Sequence, residues 1–313
     1  MADNDGQWER GLIEKLATEA LKEQRRARLW GIFWKLLTFI YVTVVIMLAI
    51  DWKDGEGKGG KHTSLVEISG VIAPGTDASA EKISTALQAA FKDKNTQGVV
   101  VRINSPGGSP VQSQEIYDEM KRLRVKYPAI PLYVVVEDLC ASGGYYVAAA
   151  ADKIYVAKGS IVGSIGVRMD SFGVVGLMEK LGIERRLITA GKNKAMLDPF
   201  LPQEEAHKQI ITGLIGEIHE QFITAVREGR GKRLKETPDM FTGLIWTGPK
   251  SIELGLADSL GTLDSVARDV IKAEDVVDYT LKENIAERFA KRLGAGVAAG
   301  LEKFTVRSSF SVR

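Results

Sequence analysis

Ser142 lies in a segment whose neighbours could turn its hydroxyl into a nucleophile. An apolar strand is predicted over residues 132–136, before it, and a helix of small residues over about 143–151, after it. A serine at such a strand-to-helix corner exposes its hydroxyl beside the free backbone N–H groups of the new helix. Gly143 and Gly144 let another chain approach the backbone closely. The alternative is that Ser142 only caps the helix.

A second glycine-rich loop, Asn-Ser-Pro-Gly-Gly at residues 104–108, could bind an anion, because consecutive glycines expose backbone N–H groups. Phosphate is one candidate, but no Lys-Ser/Thr pair follows the glycines, which argues against a P-loop. A developing oxyanion is the other candidate. Beside Ser142, the loop would supply one donor and the N–H of Gly143 the second. The alternative is a turn that simply requires glycine.

A nucleophilic serine needs a base, and the histidines are poorly placed to supply it. His62 falls in a polar stretch that is typical of a linker. His207 and His219 fall on one long predicted helix, where surface positions explain them. A Ser-His-Asp triad is therefore poorly supported.

Lysine can serve as the base when its amine is neutral, which requires apolar surroundings or a nearby positive charge. The candidates are Lys192 and Lys194. Lys194 precedes an apolar Ala-Met-Leu run and is slightly favoured by spacing, the alternative being a solvated loop lysine. Ser164, within Gly-Ser-Ile-Gly at residues 163–166, could orient the amine or could be an ordinary turn serine.

Composition narrows the class of protein. The 313 residues, 45% hydrophobic and 26% charged, suit one large α/β domain or two small ones. The net charge of +2 gives no case for nucleic acid as a partner. The single cysteine, Cys140, excludes an internal disulfide framework and a cysteine-based metal site.

The N-terminal part predicts a membrane anchor. Residues 1–28 have the spacing of a short amphipathic helix, and residues 29–50 carry only one charge, Lys35. As a helix these 22 residues are long enough to cross a bilayer, and tryptophans flank both ends. Arginines crowd the N-terminal side, so the positive-inside rule places the N-terminus in the cytoplasm. We interpret the segment as an uncleaved signal anchor followed by a flexible linker, residues 51–62.

Strands alternate with helices over residues 63–280, which predicts an α/β domain with a mainly parallel sheet. The tail, residues 281–313, is basic and amphipathic, and we favour a subunit contact over membrane binding or disorder. Strands are predicted at 64–72, 98–103, 132–136, 153–157, 164–167, 184–189 and 276–280, and helices at 80–93, 111–125, 174–181, 203–228, 249–254 and 263–272.

The order and spacing of these motifs resemble the signal peptide peptidase A (SppA) family, membrane-anchored serine proteases of bacteria. The resemblance covers about residues 65–264 and the anchor. The matching segments are the 104–108 loop, Ala-Ser-Gly-Gly-Tyr-Tyr at 141–146, Gly-Ser-Ile-Gly at 163–166, Gly-x-x-Lys at 191–194, Arg-Glu-Gly-Arg at 227–230 and the stretch 246–258.

The resemblance implies roles for individual residues. Ser142 would be the nucleophile and Lys194 the general base, because Lys194 rather than Lys192 stands at the family position. Ser164 matches the serine that hydrogen-bonds the lysine. The oxyanion donors would be the N–H of Gly143 and that of either Gly107 or Gly108.

The resemblance also implies a fold and a function. The fold would be a Clp-protease/crotonase-like α/β domain with repeated ββα units, preceded by one transmembrane helix. The activity would be degradation of remnant signal peptides and other apolar peptides by a Ser-Lys dyad, without metal or cofactor. The chain would sit in the bacterial inner membrane with its catalytic domain in the periplasm. Its single repeat resembles the short form, a ring- or dome-shaped homo-oligomer with composite sites.

Two other functions fit parts of the sequence. A crotonase-type acyl-CoA enzyme could use the 104–108 loop to polarise a thioester, although an outward-facing domain argues against it. A membrane quality-control protease of the SohB type, or a stomatin-partner-type protease or scaffold, is the second alternative.

Overall fold

The structure is a computed structural model that describes residues 3–53 and 60–281. The chain divides into two compact units, residues 1–58 and 59–313. The first contains one helix, α1 (Asp3–Lys53). Among the described residues, the 25-residue stretch Leu21–Val45, with mean hydropathy 1.4, is long and apolar enough to cross a membrane. The prediction of one apolar N-terminal helix is thus confirmed, and it continues without a break from the preceding polar segment.

The second unit is built on a mixed sheet, with eight strands within residues 60–281. The strands are β1 (His62–Ser69), β2 (Thr96–Ser105), β3 (Leu132–Ala141), β4 (Lys153–Val156), β5 (Ile161–Gly163), β6 (Ile245–Thr247), β7 (Ser259–Leu260) and β8 (Val276–Asp278). Their order in the sheet is β6-β5-β3-β2-β1-β8, and β4 pairs with both β3 and β7. All pairs are parallel except β5 with β6.

Helices follow the strands and cover the sheet. They are α2 (Ala80–Lys92), α3 (Pro110–Lys126), α4 (Gly143–Ala148), α5 (Val175–Leu181), α6 (Glu205–Arg230), α7 (Gly248–Glu253) and α8 (Leu263–Ser265), which continues as a π-helical turn, Val266–Ile271. In α2, Ile83, Leu87 and Phe91 recur at four-residue spacing and are buried. Helix α3 starts where the Ser109 side chain accepts the N–H of Gln112.

The central strands read as continuous apolar runs because both faces of the sheet are covered. Val99, Val101 and Ile103 enter the main core, whereas Val100 packs on the other face in a cluster with Val266. Strand β3 pairs with β4 over its first half and with β5 over its last three residues. This fork places the end of β3 beside β5, directly before Ser142.

Four details differ from the sequence-based expectation. Residues 164–167 are not a strand, because Ser164 has φ of 52° and leaves the extended conformation after β5. Residues 184–189 are exposed and form no strand. The short strands β6 and β7 were not predicted. His62, assigned to the linker, is instead the fully buried first residue of β1, with its Nε2 3.2 Å from the hydroxyl of Tyr279. Linker residues 54–59 and tail residues 282–313 lie outside the described parts.

Candidate active site

Ser142 lies between the end of β3 and the start of α4. Its backbone has φ of 51° and ψ of −123°, a conformation that costs a non-glycine residue about 1–3 kcal/mol. The surrounding bonds hold it there. The N–H of Ser142 donates to the carbonyl of Gly163 at 2.8 Å, and its own carbonyl accepts the N–H of Tyr146 at 2.9 Å. The side chain is half-buried, and its hydroxyl makes no hydrogen bond to any described residue. Ser142 therefore presents an unengaged hydroxyl at a strained corner.

The 104–108 loop lies against this corner. A Cβ placed on Gly107, whose φ is 96°, would lie 2.6 Å from the backbone N of Gly143 and 2.8 Å from the Cβ of Ser142. A Cβ on Gly108 would overlap the carbonyl oxygen of Ile72. Ile72 also fixes the loop from outside, since its N–H donates to the carbonyl of Gly107 and its carbonyl accepts the N–H of Ser109. Only glycine fits at either position.

The backbone N–H groups around Ser142 are not equivalent. The N–H of Gly107 donates to the side chain of Ser105 at 3.1 Å. The N–H groups of Gly108 and Gly143 have no acceptor among the described residues. These two groups are neighbours, because a Cβ on Gly143 would lie 3.2 Å from the N of Gly108. Two free donors thus lie side by side next to Ser142.

Ser164 belongs to the same site through β5. It follows Gly163, whose carbonyl binds Ser142, and its own N–H donates to the carbonyl of Leu244 at 2.7 Å. Gly163 has φ of 118° and faces the ring of Trp246, which a Cβ would meet at 2.6 Å. The Ser164 side chain is half-buried.

Lys194 is not part of this arrangement within one chain. Residues 191–194 are exposed, and Lys194 lines an open cavity of about 750 Å³ whose lining does not include Ser142. Its amine makes no hydrogen bond or ion pair with another described residue. The structure therefore brings together five of the six residues to which the resemblance gives roles, and it shows no hydrogen bond between Lys194 and any of these five: Ser142, Gly143, Gly107, Gly108 and Ser164.

A buried ion pair lies between the end of α6 and the loop that binds α4, and the sequence did not indicate it. Arg230 is 1% exposed, and its guanidinium donates to the carboxylate of Asp258 and to the carbonyl of Gly255, both at 2.8 Å. This loop also receives the hydroxyl of Tyr145, which donates to the carbonyl of Leu256 at 2.8 Å. Burial is the largest single influence on Asp258 and opposes its ionisation, but the bond and charge of Arg230, the N–H of Ile154 and the charge of Arg233 together outweigh it, so the pKa of Asp258 is lowered. Both charged residues lie in segments that match the SppA family, but the resemblance gave neither of them a role.

Cys140 is a nearby thiol with different surroundings. It is fully buried two residues before Ser142, and burial raises the pKa of the thiol, which keeps it protonated. Among the described residues, no group of three or more His, Cys, Asp or Glu side chains could hold a metal ion.

Comparisons with known proteins match both halves of this site. The profile described as peptidase family S49 matches residues 125–277, and the Clp protease profile matches residues 66–158. A Brucella abortus protein named "Na(+)/H(+) antiporter NhaA" is 44% identical over 209 residues, or 65% of this chain, but the match spans only 28% of that protein.

Two further relatives match over most of their own length. A Methanocaldococcus jannaschii protein named as a "putative protease" is 31% identical over 264 residues, covering 80% of this chain and 84% of the relative. An Enterococcus faecium protein named "Putative signal peptide peptidase SppA" is 30% identical over 236 residues, covering 73% of this chain and 68% of the relative. The chain belongs to peptidase family S49, the SppA-like serine peptidases with a Clp-protease/crotonase fold.

Proposed function

We propose that this protein is a membrane-anchored endopeptidase that uses a Ser-Lys dyad to cut apolar peptides outside the cytoplasm, remnant signal peptides in particular. The observation that carries the proposal is the corner at Ser142. Its hydroxyl is unengaged, and the free N–H groups of Gly143 and Gly108 lie beside it. This is the arrangement that acyl transfer needs.

The proposed reaction uses this corner, with Lys194 as the base. The Ser142 oxygen attacks the scissile carbonyl carbon, and the neutral amine of Lys194 takes the hydroxyl proton. The carbonyl oxygen becomes an oxyanion held by backbone N–H groups. Collapse of this intermediate breaks the C–N bond, and the protonated Lys194 gives its proton to the leaving amine. Lys194 then deprotonates water, which hydrolyses the acyl-enzyme and restores Ser142.

We propose that the lysine of each site comes from a neighbouring subunit of a ring- or dome-shaped homo-oligomer. Two observations support this. Lys194 is exposed, makes no hydrogen bond to Ser142 in its own chain and lines a cavity that does not include Ser142, and apolar side chains that line the same cavity are exposed. Ile188 is 99% exposed, and Leu197 and Phe200 are each 43% exposed. Burial of this surface against another subunit would also provide the dry surroundings that a neutral lysine requires.

Mixing of subunits tests the composite site. Chains carrying Ser142→Ala and chains carrying Lys194→Ala are each expected to be inactive. Co-assembled in equal amounts, they should regenerate about a quarter of the sites, because random pairing combines the two intact residues in that share of interfaces. If both residues of a site come from one chain, the mixture stays as inactive as its components.

The membrane part of the proposal is supported by α1 and its charges. Arg25, Arg26 and Arg28 lie N-terminal to most of the apolar stretch, which favours a cytoplasmic N-terminus and an extracytoplasmic peptidase domain. A periplasm-active reporter fused at the C-terminus should be active, whereas activity of a cytoplasm-specific reporter would contradict the orientation.

Cleavage of a synthetic signal peptide by the detergent-solubilised full chain tests the activity and the base together. We expect cuts within the apolar segment of the peptide. Lys194→Ala should abolish them, and the matched variant Lys192→Ala, two residues away in the same exposed segment, should retain them. Loss of activity in Lys192→Ala alone would show that the base is assigned wrongly.

A further inference from the structure

Ser105 is a buried hydroxyl at the junction of three segments of the site. It is the last residue of β2, it is fully buried, and it pairs in register with Cys140 near the end of β3. Its own carbonyl oxygen lies against α4, because a Cβ placed on Gly144 would be 3.1 Å from it. Ser105 is therefore enclosed between β3 and α4, directly before the glycine loop.

The two hydrogen bonds of the Ser105 hydroxyl have fixed directions. The oxygen donates its single proton to the carbonyl of Gly70 at 2.6 Å, just beyond β1. The same oxygen accepts the N–H of Gly107 at 3.1 Å. A carbonyl can only accept and a backbone N–H can only donate, so neither bond can reverse. The hydroxyl thus ties the end of β1 to the glycine loop.

We propose that Ser105 is a positioning residue for the oxyanion hole, and that its bond to Gly107 makes the N–H of Gly108, together with that of Gly143, the pair of oxyanion donors. This rests on the proposed function, in which Ser142 is the nucleophile. Gly107 cannot donate to the oxyanion while its N–H is held by Ser105. Gly108, the next residue, keeps its N–H free beside Gly143.

The expected consequence of losing this hydroxyl is a loose loop in a folded protein. Gly70 is exposed, so water can replace Ser105 at its carbonyl. Gly107 is buried, so its N–H would be left unpaired and the loop would shift to satisfy it. Oxyanion donors act through preorganisation, and a misplacement of about 1 Å can cost 100-fold in rate.

Ser105→Ala is the direct test. We expect kcat for peptide cleavage to fall by about 10- to 100-fold with KM changed less than about threefold, because the loop acts on the transition state. A peptide aldehyde, which forms a tetrahedral adduct with Ser142, should lose inhibitory strength in the same proportion. The matched peptide alcohol, which forms no adduct, should bind as before.

Ser160→Ala is the matched control. Its hydroxyl also accepts a backbone N–H, that of Ala157, and donates to a backbone carbonyl, that of Glu137, and it is 1% exposed. The two variants should lose similar stability, but only Ser105→Ala should lose kcat. If Ser105→Ala does not fold, Ser105→Cys repeats the test with a side chain that hydrogen-bonds weakly.

Two results would overturn the inference. One is a Ser105 variant with the same kcat as Ser160→Ala, and the other is an equal loss of affinity for aldehyde and alcohol. Failure of the proposed function looks different: wild-type protein would then form no aldehyde adduct at Ser142 at all.

Discussion

Replacement of Gly107 by alanine should damage the site in a way that the structure makes quantitative. A Cβ there would lie 2.6 Å from the N of Gly143 and 2.8 Å from the carbonyl oxygen of Ala141. Both are backbone atoms and cannot move without shifting the corner. Gly75 offers the control, because its φ of 76° is also positive but nothing lies within 4 Å of a Cβ placed on it.

Comparison of the two variants separates the energetic cost of a positive φ from the cost of steric overlap. Gly75→Ala should cost only the positive-φ penalty, about 1–2 kcal/mol. Gly107→Ala should cost that penalty plus about 1–3 kcal/mol for overpacking, or about 2–5 kcal/mol in total. Because the added methyl group presses on the N–H of Gly143, reaction at Ser142 should also fall by about 100-fold or more.

Urea unfolding gives the free energies, and the rate of labelling by a fluorophosphonate gives the reactivity of the folded protein. We expect Gly75→Ala to label at the wild-type rate. If Gly107→Ala were as stable and as reactive as Gly75→Ala, the close approach of the loop to Ser142 would be wrong, and with it the oxyanion assignment.

Three further predictions concern stability and anchoring. Arg230→Ala should cost about 3 kcal/mol, because it removes the buried guanidinium and leaves the Asp258 carboxylate with only the partly exposed Arg233 and the N–H of Ile154. Arg227→Ala, which removes an exposed pair with Glu236, should cost about 1 kcal/mol or less in the same urea assay. Because folding lowers the pKa of Asp258, this carboxylate stabilises the folded state fully at pH values above its ordinary pKa, and the stabilisation is lost as the pH falls through the lowered pKa. The urea concentration at the unfolding midpoint should therefore decrease as the pH is lowered below about 4. The decrease should be less steep in Asp258→Asn. Ile40→Arg should make the protein extractable from membranes by carbonate, since a charge near the middle of the apolar residues 29–50 costs about 2.5–3.5 kcal/mol on insertion. Continued resistance to carbonate would contradict the anchor.

Most of the fold could be predicted from the sequence, because local signals agree with the final packing. Apolar runs such as residues 98–103 are strands buried on both faces, and the Ser109-Pro110 pair starts α3 as its residue types suggest. The order of the motifs along the chain likewise predicted the SppA-like family, which the match to peptidase family S49 confirms.

The parts of the fold that could not be predicted from the sequence depend on contacts between segments that are distant along the chain. β6 is three residues long and exists because it pairs with β5, some 80 residues earlier in the chain. His62 is buried by Tyr279, more than 200 residues away. Residues 184–189 follow a helix, where the repeating pattern of strands and helices predicts a strand, but no described strand pairs with them.

In the candidate site, too, local sequence patterns predicted some features, whereas others depend on contacts that the sequence does not reveal. Glycine spacing indicated Gly107 and Gly108 together, but only the side-chain bond of Ser105 distinguishes their N–H groups. Lys194 could be chosen over Lys192 by its place in a motif. In the single chain Lys194 is exposed, and under the proposal the surroundings of its amine come from a neighbouring subunit, which the sequence of one chain does not describe.

The central claim is that Ser142 is the nucleophile, and peptide mapping by mass spectrometry after fluorophosphonate treatment tests it most directly. We predict one adduct per labelled chain, on the peptide that contains Ser142, and no adduct in Ser142→Ala. An adduct on Ser164 or another serine, or labelling that persists in Ser142→Ala, would contradict the account.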